Sequence, residues 1–191
     1  MQVSELGLEV KFSGLGQPPR LAEAEAGTAV IEGYASLFGL PDQGGDVVAK
    51  GAFADSLKRL AAEGKRVKML WQHDATAPIG IWDEIREDGK GLWVRGRLLP
   101  EVAQAREAAA LLKAGAIDGL SIGYRAVRAE RDSKGLRVLA EVDLWEVSLV
   151  TFPMLPEARA EAKSDDPAMA VLRAMTGALV AATAVMKGEG N

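Results

Sequence analysis

The stretch Ile79-Gly-Ile-Trp-Asp-Glu-Ile-Arg-Glu-Asp-Gly-Lys-Gly-Leu-Trp-Val-Arg-Gly-Arg-Leu-Leu99 decides the class of the fold. Two strand-like runs, residues 79–85 and 91–99, flank the turn Glu87-Asp-Gly-Lys90. An Asp-Gly pair between two such runs is a strong signal for a β-hairpin. The stretch therefore predicts two consecutive antiparallel strands rather than a strand followed by a helix.

Five further segments have strand-like patterns and two have helical spacing. The strands are predicted at residues 6–12, 28–38, 67–73, 120–128 and 136–151. The helices are predicted at residues 53–63 and 101–113, each ended by a glycine, and the Pro- and Ala/Glu-rich segment 18–27 is predicted to be a loop. Because strands follow strands more often than they alternate with helices, this order predicts a mainly β fold with peripheral helices. The fold class is an antiparallel or mixed β-barrel rather than a doubly wound sheet.

The composition excludes several classes of chemistry. The chain has 191 residues, no cysteine, one histidine and a net charge of −4. The absence of cysteine excludes disulfides, thiolate metal sites and cysteine nucleophiles. A single histidine excludes multi-histidine metal sites and leaves one natural carrier for acid–base chemistry near neutral pH. The slightly acidic charge gives no reason to expect nucleic acid as a partner.

The chain is predicted to divide into a β-barrel domain, residues 1–156, and a linker with a C-terminal helical tail, residues 157–191. The linker part, residues 157–167, is rich in Ala, Glu and Asp, and residues 168–186 are apolar nearly all round. The uninterrupted apolar part is too short to span a bilayer. The first residues lack the basic and apolar regions of a secretory signal. We therefore expect a cytoplasmic protein that has no membrane as a partner.

Three polar residues lie where the strand pattern favours other types. His73 ends the apolar run 67–73, and Ser121 alternates with apolar neighbours, so its side chain is expected to face away from the apolar side. Glu146 is expected on a mostly apolar face that also carries Val142, Leu144, Ser148 and Val150, where a carboxylate needs a partner. A serine, a histidine and a carboxylate are the minimum set for nucleophilic acyl transfer.

Each of these residues also has a plain structural interpretation. His73 is then a strand-end histidine bonded to a neighbour, Ser121 a solvent-facing serine, and Glu146 a carboxylate exposed at a sheet edge. Asp74 and Asp143 are weaker candidates for the carboxylate. The glycines two residues before and after Ser121 are expected to leave room for a substrate backbone.

Four blocks of sequence, in the same order, resemble the prohead (capsid maturation) protease family of tailed bacteriophages and related phage-like particles. The likeness covers roughly residues 5–160, and no block alone is specific. The blocks are Gly45-Asp-Val-Val-Ala-Lys-Gly-Ala-Phe53, Val67-Lys-Met-Leu-Trp-Gln-His-Asp74 with Pro78-Ile-Gly80, Gly115-Ala-Ile-Asp-Gly-Leu-Ser-Ile-Gly-Tyr124, and Leu144-Trp-Glu-Val-Ser-Leu-Val-Thr-Phe-Pro153.

The resemblance implies a fold, an activity and partners. The fold is the seven-stranded β-barrel with peripheral helices of the herpesvirus assemblin proteases. The activity is that of a serine endopeptidase with His73 as general base, Ser121 as nucleophile and Glu146 as orienting carboxylate, without a cofactor or metal. The implied substrates are the scaffold region of the major capsid protein and the enzyme itself, inside the assembling procapsid in the host cytoplasm. The resemblance also allows a homodimer, and it implies neither nucleic acid nor a membrane.

One stretch departs from the assemblin pattern. Assemblins use an arginine pair after the third catalytic residue to bind the oxyanion, and the corresponding residues 151–156 contain no arginine. The oxyanion donors are therefore expected elsewhere.

Two alternatives to this mechanism stay open at the level of sequence. The chain could be a non-catalytic scaffold or assembly module with the same barrel fold. Alternatively, Ser121 could pair with a lysine such as Lys113. A lysine base needs a desolvated amine, and Lys113 lies at a polar helix end.

Overall fold

The structure, a computed structural model, describes residues 9–12, 20–23, 29–42 and 44–151. The predictions for the linker and the C-terminal tail, residues 157–191, lie outside this part of the chain. The described residues form nine strands and two helices. They are β1 (Glu9–Phe12), β2 (Arg20–Glu23), β3 (Ala29–Leu37), β4 (Asp46–Val48), α1 (Ala54–Ala62), β5 (Lys68–Trp71), β6 (Asp74–Glu87), β7 (Gly91–Leu98), α2 (Ala103–Lys113), β8 (Gly119–Arg131) and β9 (Arg137–Val150).

The strands form one curled sheet, in the order β1-β8-β9-β5-β6-β7-β3-β2, with β4 paired to β9 beside this path. Most neighbours are antiparallel, while β4 and β5 run parallel to β9. The predicted mainly β class with peripheral helices is confirmed. Both helices lie within two residues of their predicted limits, and Gly64 and Gly115 follow them with φ angles of 63° and 69°.

Two strands were not expected from the sequence, so the described residues hold nine strands rather than seven. β2 lies in the segment predicted as a loop and pairs antiparallel with β3. β4 has three residues and pairs with the start of β9. Both are held by backbone hydrogen bonds to a longer neighbour. Such bonds do not depend on an alternating side-chain pattern, and a three-residue strand is too short to display one.

The predicted hairpin is confirmed as β6 and β7, and Asp88 organises its turn. The Asp88 Oδ1 accepts hydrogen bonds from the backbone N–H groups of Lys90 (2.8 Å) and Gly91 (3.1 Å). Its Oδ2 accepts bonds from the Tyr34 hydroxyl (2.7 Å) and the Arg86 guanidinium (3.1 Å). Burial by itself raises the pKa of Asp88, but these hydrogen bonds outweigh it and lower the pKa to about 2.

The long β8–β9 pair contains a β-bulge that sets which side chains face the core. Gly123 pairs with Glu146, whereas the next residue, Tyr124, pairs with Leu144, so Trp145 is the extra residue. Leu144 therefore faces the core, and after the bulge Val147 faces it in turn. This corrects the expected face of Glu146. Its side chain does not share a face with Val142 and Leu144, which belong to the core.

Helix α1 packs against β9 and completes the hydrogen bonding of the bulged region. Phe53 is fully buried in the core, and Leu57 and Leu60 pack against it, as expected for a core-facing helix stripe. The buried Ser56 hydroxyl accepts a hydrogen bond of 2.9 Å from the backbone N–H of Leu144. In a regular sheet this N–H would donate to a neighbouring strand, and here the Ser56 side chain takes the place of that strand. Within the described ranges, neither helix has the length and apolar character needed to cross a bilayer.

Replacement of Asp88 by asparagine should destabilise the protein by about 1–2 kcal/mol at neutral pH, because the turn loses charge-assisted hydrogen bonds. The folded-state pKa of Asp88 is lowered, so its contribution is present above pH 3.8 and lost as the pH falls toward about 2. The difference between wild type and Asp88→Asn should therefore shrink across this range. Urea unfolding at several pH values measures it.

Asp83→Asn is the matched control, because Asp83 lies on β6 and forms a half-exposed ion pair with Arg97. Its effect should stay below about 0.5 kcal/mol. A constant difference between wild type and Asp88→Asn from pH 6 to pH 2 would contradict the assignment.

Candidate active site

His73 lies in a sharp turn immediately after β5. The strand was expected to reach His73 but ends at Trp71, and Gln72 and His73 have φ angles of 52° and 60°. This left-handed conformation is uncommon for residues other than glycine and is found disproportionately at functional sites. The Gln72 backbone N–H donates to the Leu149 carbonyl (2.9 Å), and its side chain is hydrogen-bonded to Thr151 at both the hydroxyl (2.5 Å) and the backbone N–H (3.3 Å). The turn is thus fixed to the end of β9.

Glu146 of β9 contacts the histidine directly. The His73 Nδ1 and the Glu146 Oε1 are 2.6 Å apart, and the two side chains are 13% and 3% exposed. An ionised carboxylate only accepts hydrogen bonds, so this contact directs the imidazole to donate from Nδ1. Nε2 is then the nitrogen that takes up a proton. The structure therefore brings together two of the three residues expected from the sequence.

Ser148 joins both members of this pair. Its hydroxyl donates to the Glu146 Oε2 (2.6 Å) and accepts from the backbone N–H of His73 (3.1 Å). Each Glu146 oxygen therefore has a hydrogen-bond partner, as a buried carboxylate requires. Ser148 shares the face of Glu146, as expected from the sequence, but its two hydrogen bonds were not expected. Its position two residues beyond the carboxylate on one strand was the available signal.

Ser121 lies on β8 directly opposite Ser148 of β9. Opposite residues of an antiparallel pair project on the same face, with Cβ atoms roughly 4.5–5.5 Å apart. Ser121 therefore shares the face of Ser148 and Glu146, while Leu120 and Ile122 belong to the core, as the alternation predicted. The side chain is fully buried rather than solvent-facing. The end of β5 and two paired strands thus bring histidine, serine and carboxylate to one region of the sheet.

Gly123 makes room for the carboxylate. It is the cross-strand partner of Glu146, and a Cβ atom at this position would collide with the Oε1, Cδ and Cγ atoms of that side chain. From the sequence, this glycine was expected to leave room for a substrate backbone. In the structure the space beside Gly123 is occupied by the Glu146 carboxylate. The glycine therefore makes room for a side chain of the site rather than for a substrate.

The other candidate groups are engaged elsewhere. Asp74 accepts hydrogen bonds from the backbone and the hydroxyl of Thr76, and these bonds lower the pKa of Asp74. Asp143 forms ion pairs with Arg59 and with Arg125, the latter at 2.6 Å. Lys113 is exposed as the last residue of α2, which does not provide the desolvation that a lysine base needs. Outside the undescribed segments, the chain has no group of three or more acidic or histidine side chains arranged to hold a metal ion.

Gly123→Ala should destabilise the protein by about 1–3 kcal/mol, because the methyl group and the Glu146 side chain compete for one space. In a Glu146→Ala background the same substitution should cost less than about 0.5 kcal/mol, since the competing atoms are gone. Urea unfolding of the four proteins of this double-mutant cycle measures the coupling. Gly89→Ala, at a position with open space, should have no effect. Equal costs in both backgrounds would contradict the proposed fit.

Comparisons with known proteins show the family of the chain. Residues 19–170 match the family model described as caudovirus prohead serine protease. The prohead protease of Enterobacteria phage HK97 is 33% identical over 153 residues, which cover 76% of this chain and 60% of that protein. The prohead protease of Escherichia phage T5 is 29% identical over 135 residues, which cover 69% of this chain and 61% of that protein. The chain thus spans about three fifths of the length of these two relatives.

A solved structure is similar in fold. The bacteriophage T4 capsid assembly protease superposes with a TM-score of 0.64 at 18% sequence identity, over 76% of this chain and 98% of that protein. At this identity the likeness concerns the fold alone, and it agrees with the mainly β class. The family model, by contrast, extends over most of the sequence and includes the His73, Ser121 and Glu146 blocks. The chain belongs to the caudovirus prohead serine protease family.

Proposed function

We propose that this chain is a serine endopeptidase of procapsid maturation with Ser121 as nucleophile, His73 as general base and Glu146 as orienting carboxylate. The observation that carries the proposal is the buried 2.6 Å contact between the His73 Nδ1 and the Glu146 Oε1, beside the strand that holds Ser121. A carboxylate on one imidazole nitrogen fixes the tautomer and ring orientation, which leaves the other nitrogen to act as base. The side chains supply this chemistry without a cofactor.

The reaction follows from these roles. The Ser121 Oγ attacks the carbonyl carbon of the scissile peptide bond while its proton passes to the His73 Nε2. The tetrahedral intermediate then collapses, the C–N bond breaks, and His73 gives the proton to the leaving amine. Water attacks the acyl-enzyme by the same route, which releases the new carboxyl terminus and restores the Ser121 hydroxyl. In both halves of the reaction the negative charge of Glu146 stabilises the imidazolium that forms.

The substrate class is inferred from the names of the relatives, which are prohead proteases and a capsid assembly protease. We infer that the chain cleaves the scaffold region of the major capsid protein, and then itself, within the assembling procapsid in the host cytoplasm. The capsid protein is thus the principal partner, and a homodimer is the oligomeric state to test. Neither nucleic acid nor a membrane enters the proposal.

Ser121→Ala should lower kcat/KM for cleavage of a purified capsid protein with its scaffold segment by at least about 10³-fold, because the nucleophile is removed. The fold should be retained, since the substitution removes one buried atom. Ser133→Ala, in the exposed β8–β9 turn, is the matched control and should cleave normally. Gel-based kinetics measure both variants. Near-normal cleavage by Ser121→Ala would exclude this nucleophile, and an inactive wild type would favour a non-catalytic assembly module.

Self-processing gives a second test, directed at the predicted linker 157–167 and apolar tail 168–186, which lie outside the described residues. We propose that the tail recruits the enzyme into the growing shell or holds it inactive, and that cleavage in the linker releases it. Exposed linkers are where chain cleavage concentrates. A wild-type preparation should therefore shed a short C-terminal fragment on standing, while Ser121→Ala stays full length.

Intact-mass spectrometry of the two proteins, incubated side by side, distinguishes the outcomes. Unclipped wild type after long incubation would contradict self-release. Equal clipping of both proteins would point to a contaminating protease and would equally count against it.

A further inference from the structure

Ser148 is a buried polar residue that the proposed reaction does not use. It is fully buried on β9, and its hydroxyl lies between the His73 backbone and the Glu146 carboxylate. It is also the cross-strand partner of Ser121. A buried hydroxyl costs free energy unless it is hydrogen-bonded, and here both of its bonds go to the two residues of the proposed base–carboxylate pair.

The two bonds act on different parts of the site. The donated bond of 2.6 Å holds the Glu146 Oε2, so the carboxylate presents its other oxygen, Oε1, to the imidazole. The accepted bond of 3.1 Å holds the backbone N–H of His73, which, with Gln72, is one of the two non-glycine residues in the described part of the chain that have left-handed backbone. One oxygen atom therefore fixes both the direction of the carboxylate and the backbone that carries the imidazole.

We propose that Ser148 is a positioning residue that aligns His73 and Glu146 for proton transfer from Ser121. This inference rests on the proposed function, because it assigns Ser148 to the same reaction. Without the hydroxyl, the Glu146 Oε2 loses its donor and the His73 N–H loses its acceptor. Both groups lie in a buried region, so the pair would reorient to regain hydrogen bonds. Since misorientation affects the chemical step rather than substrate binding, the loss should appear in kcat and not in KM.

Ser148→Ala is the test. It should lower kcat by about 10- to 100-fold and leave KM within about twofold. Amide hydrogen exchange of His73 gives a readout that does not depend on activity. Because the chain has one histidine, ¹⁵N-histidine labelling yields a single backbone amide signal. That amide should exchange at least about tenfold faster in Ser148→Ala, since its acceptor has been removed.

Two further variants separate positioning from a general packing effect. Ser148→Thr keeps the hydroxyl and should recover most of both kcat and amide protection. Ser36→Ala is the matched control, because Ser36 is an equally buried sheet serine whose hydroxyl has no hydrogen-bond partner among the described residues. It should leave both readouts unchanged. If Ser148→Ala does not fold, Ser148→Cys replaces it, because the thiol keeps the volume and weakens both bonds.

The outcomes distinguish this inference from the proposed function. Wild-type kcat or wild-type exchange of the His73 amide in Ser148→Ala would overturn the positioning role. A loss of kcat in Ser148→Thr equal to that in Ser148→Ala would overturn it as well. Cleavage by Ser121→Ala, in contrast, would exclude Ser121 as the nucleophile. The exchange rate of the His73 amide would still show whether Ser148 holds the backbone of His73.

Discussion

The contact between the His73 Nδ1 and the Glu146 Oε1 is the interaction on which the other features of the site depend. Both side chains are largely buried, and a buried carboxylate is tolerated only when its oxygens are hydrogen-bonded. Three local irregularities surround it. Gln72 and His73 have left-handed backbone, Trp145 is an extra residue in β9, and Gly123 lacks the side chain that would displace the carboxylate. Each costs some stability or regularity, and each is required for the contact to form.

Strand β9 contacts all of these irregular segments, because its two edges are hydrogen-bonded to different parts of the chain. One edge pairs with β8 along its length. The other edge meets β4, then the Ala52 carbonyl, then the Ser56 hydroxyl, then β5. The Ser56 bond falls beside the bulge, where regular strand pairing is interrupted. The bulge shifts the in–out alternation of β9 by one residue. Leu144, before the bulge, faces the core, whereas Glu146, after it, lies on the opposite face. Bulges are common beside active sites, where they redirect a side chain.

The sequence predicts much of the fold and the kinds of residue at the site, a histidine, a serine and a carboxylate. It does not predict the hydrogen bonds between them. The Asp-Gly hairpin and both helices follow from local turn and cap chemistry, which acts within a few residues. The face of Glu146 could not be predicted, because period-two reasoning assumes a regular strand and Trp145 interrupts it. The role proposed for Ser148 was missed because it depends on a hydrogen bond of 3.1 Å to the backbone of His73, which is 75 residues away in sequence. The alternative carboxylates considered from the sequence have other partners: Asp74 is hydrogen-bonded to Thr76, and Asp143 forms an ion pair with Arg125.

The tautomer of the single histidine, measured by ¹⁵N NMR of the wild-type protein, is a direct test of the contact between His73 and Glu146. In the neutral form of the imidazole, the His73–Glu146 contact predicts that the hydrogen is on Nδ1, with a downfield Nδ1–H proton protected from exchange. In Glu146→Gln the downfield proton should disappear, because the charged acceptor has been removed. A neutral imidazole with its hydrogen on Nε2, or an Nδ1–H signal unchanged in Glu146→Gln, would show that the carboxylate does not bind Nδ1.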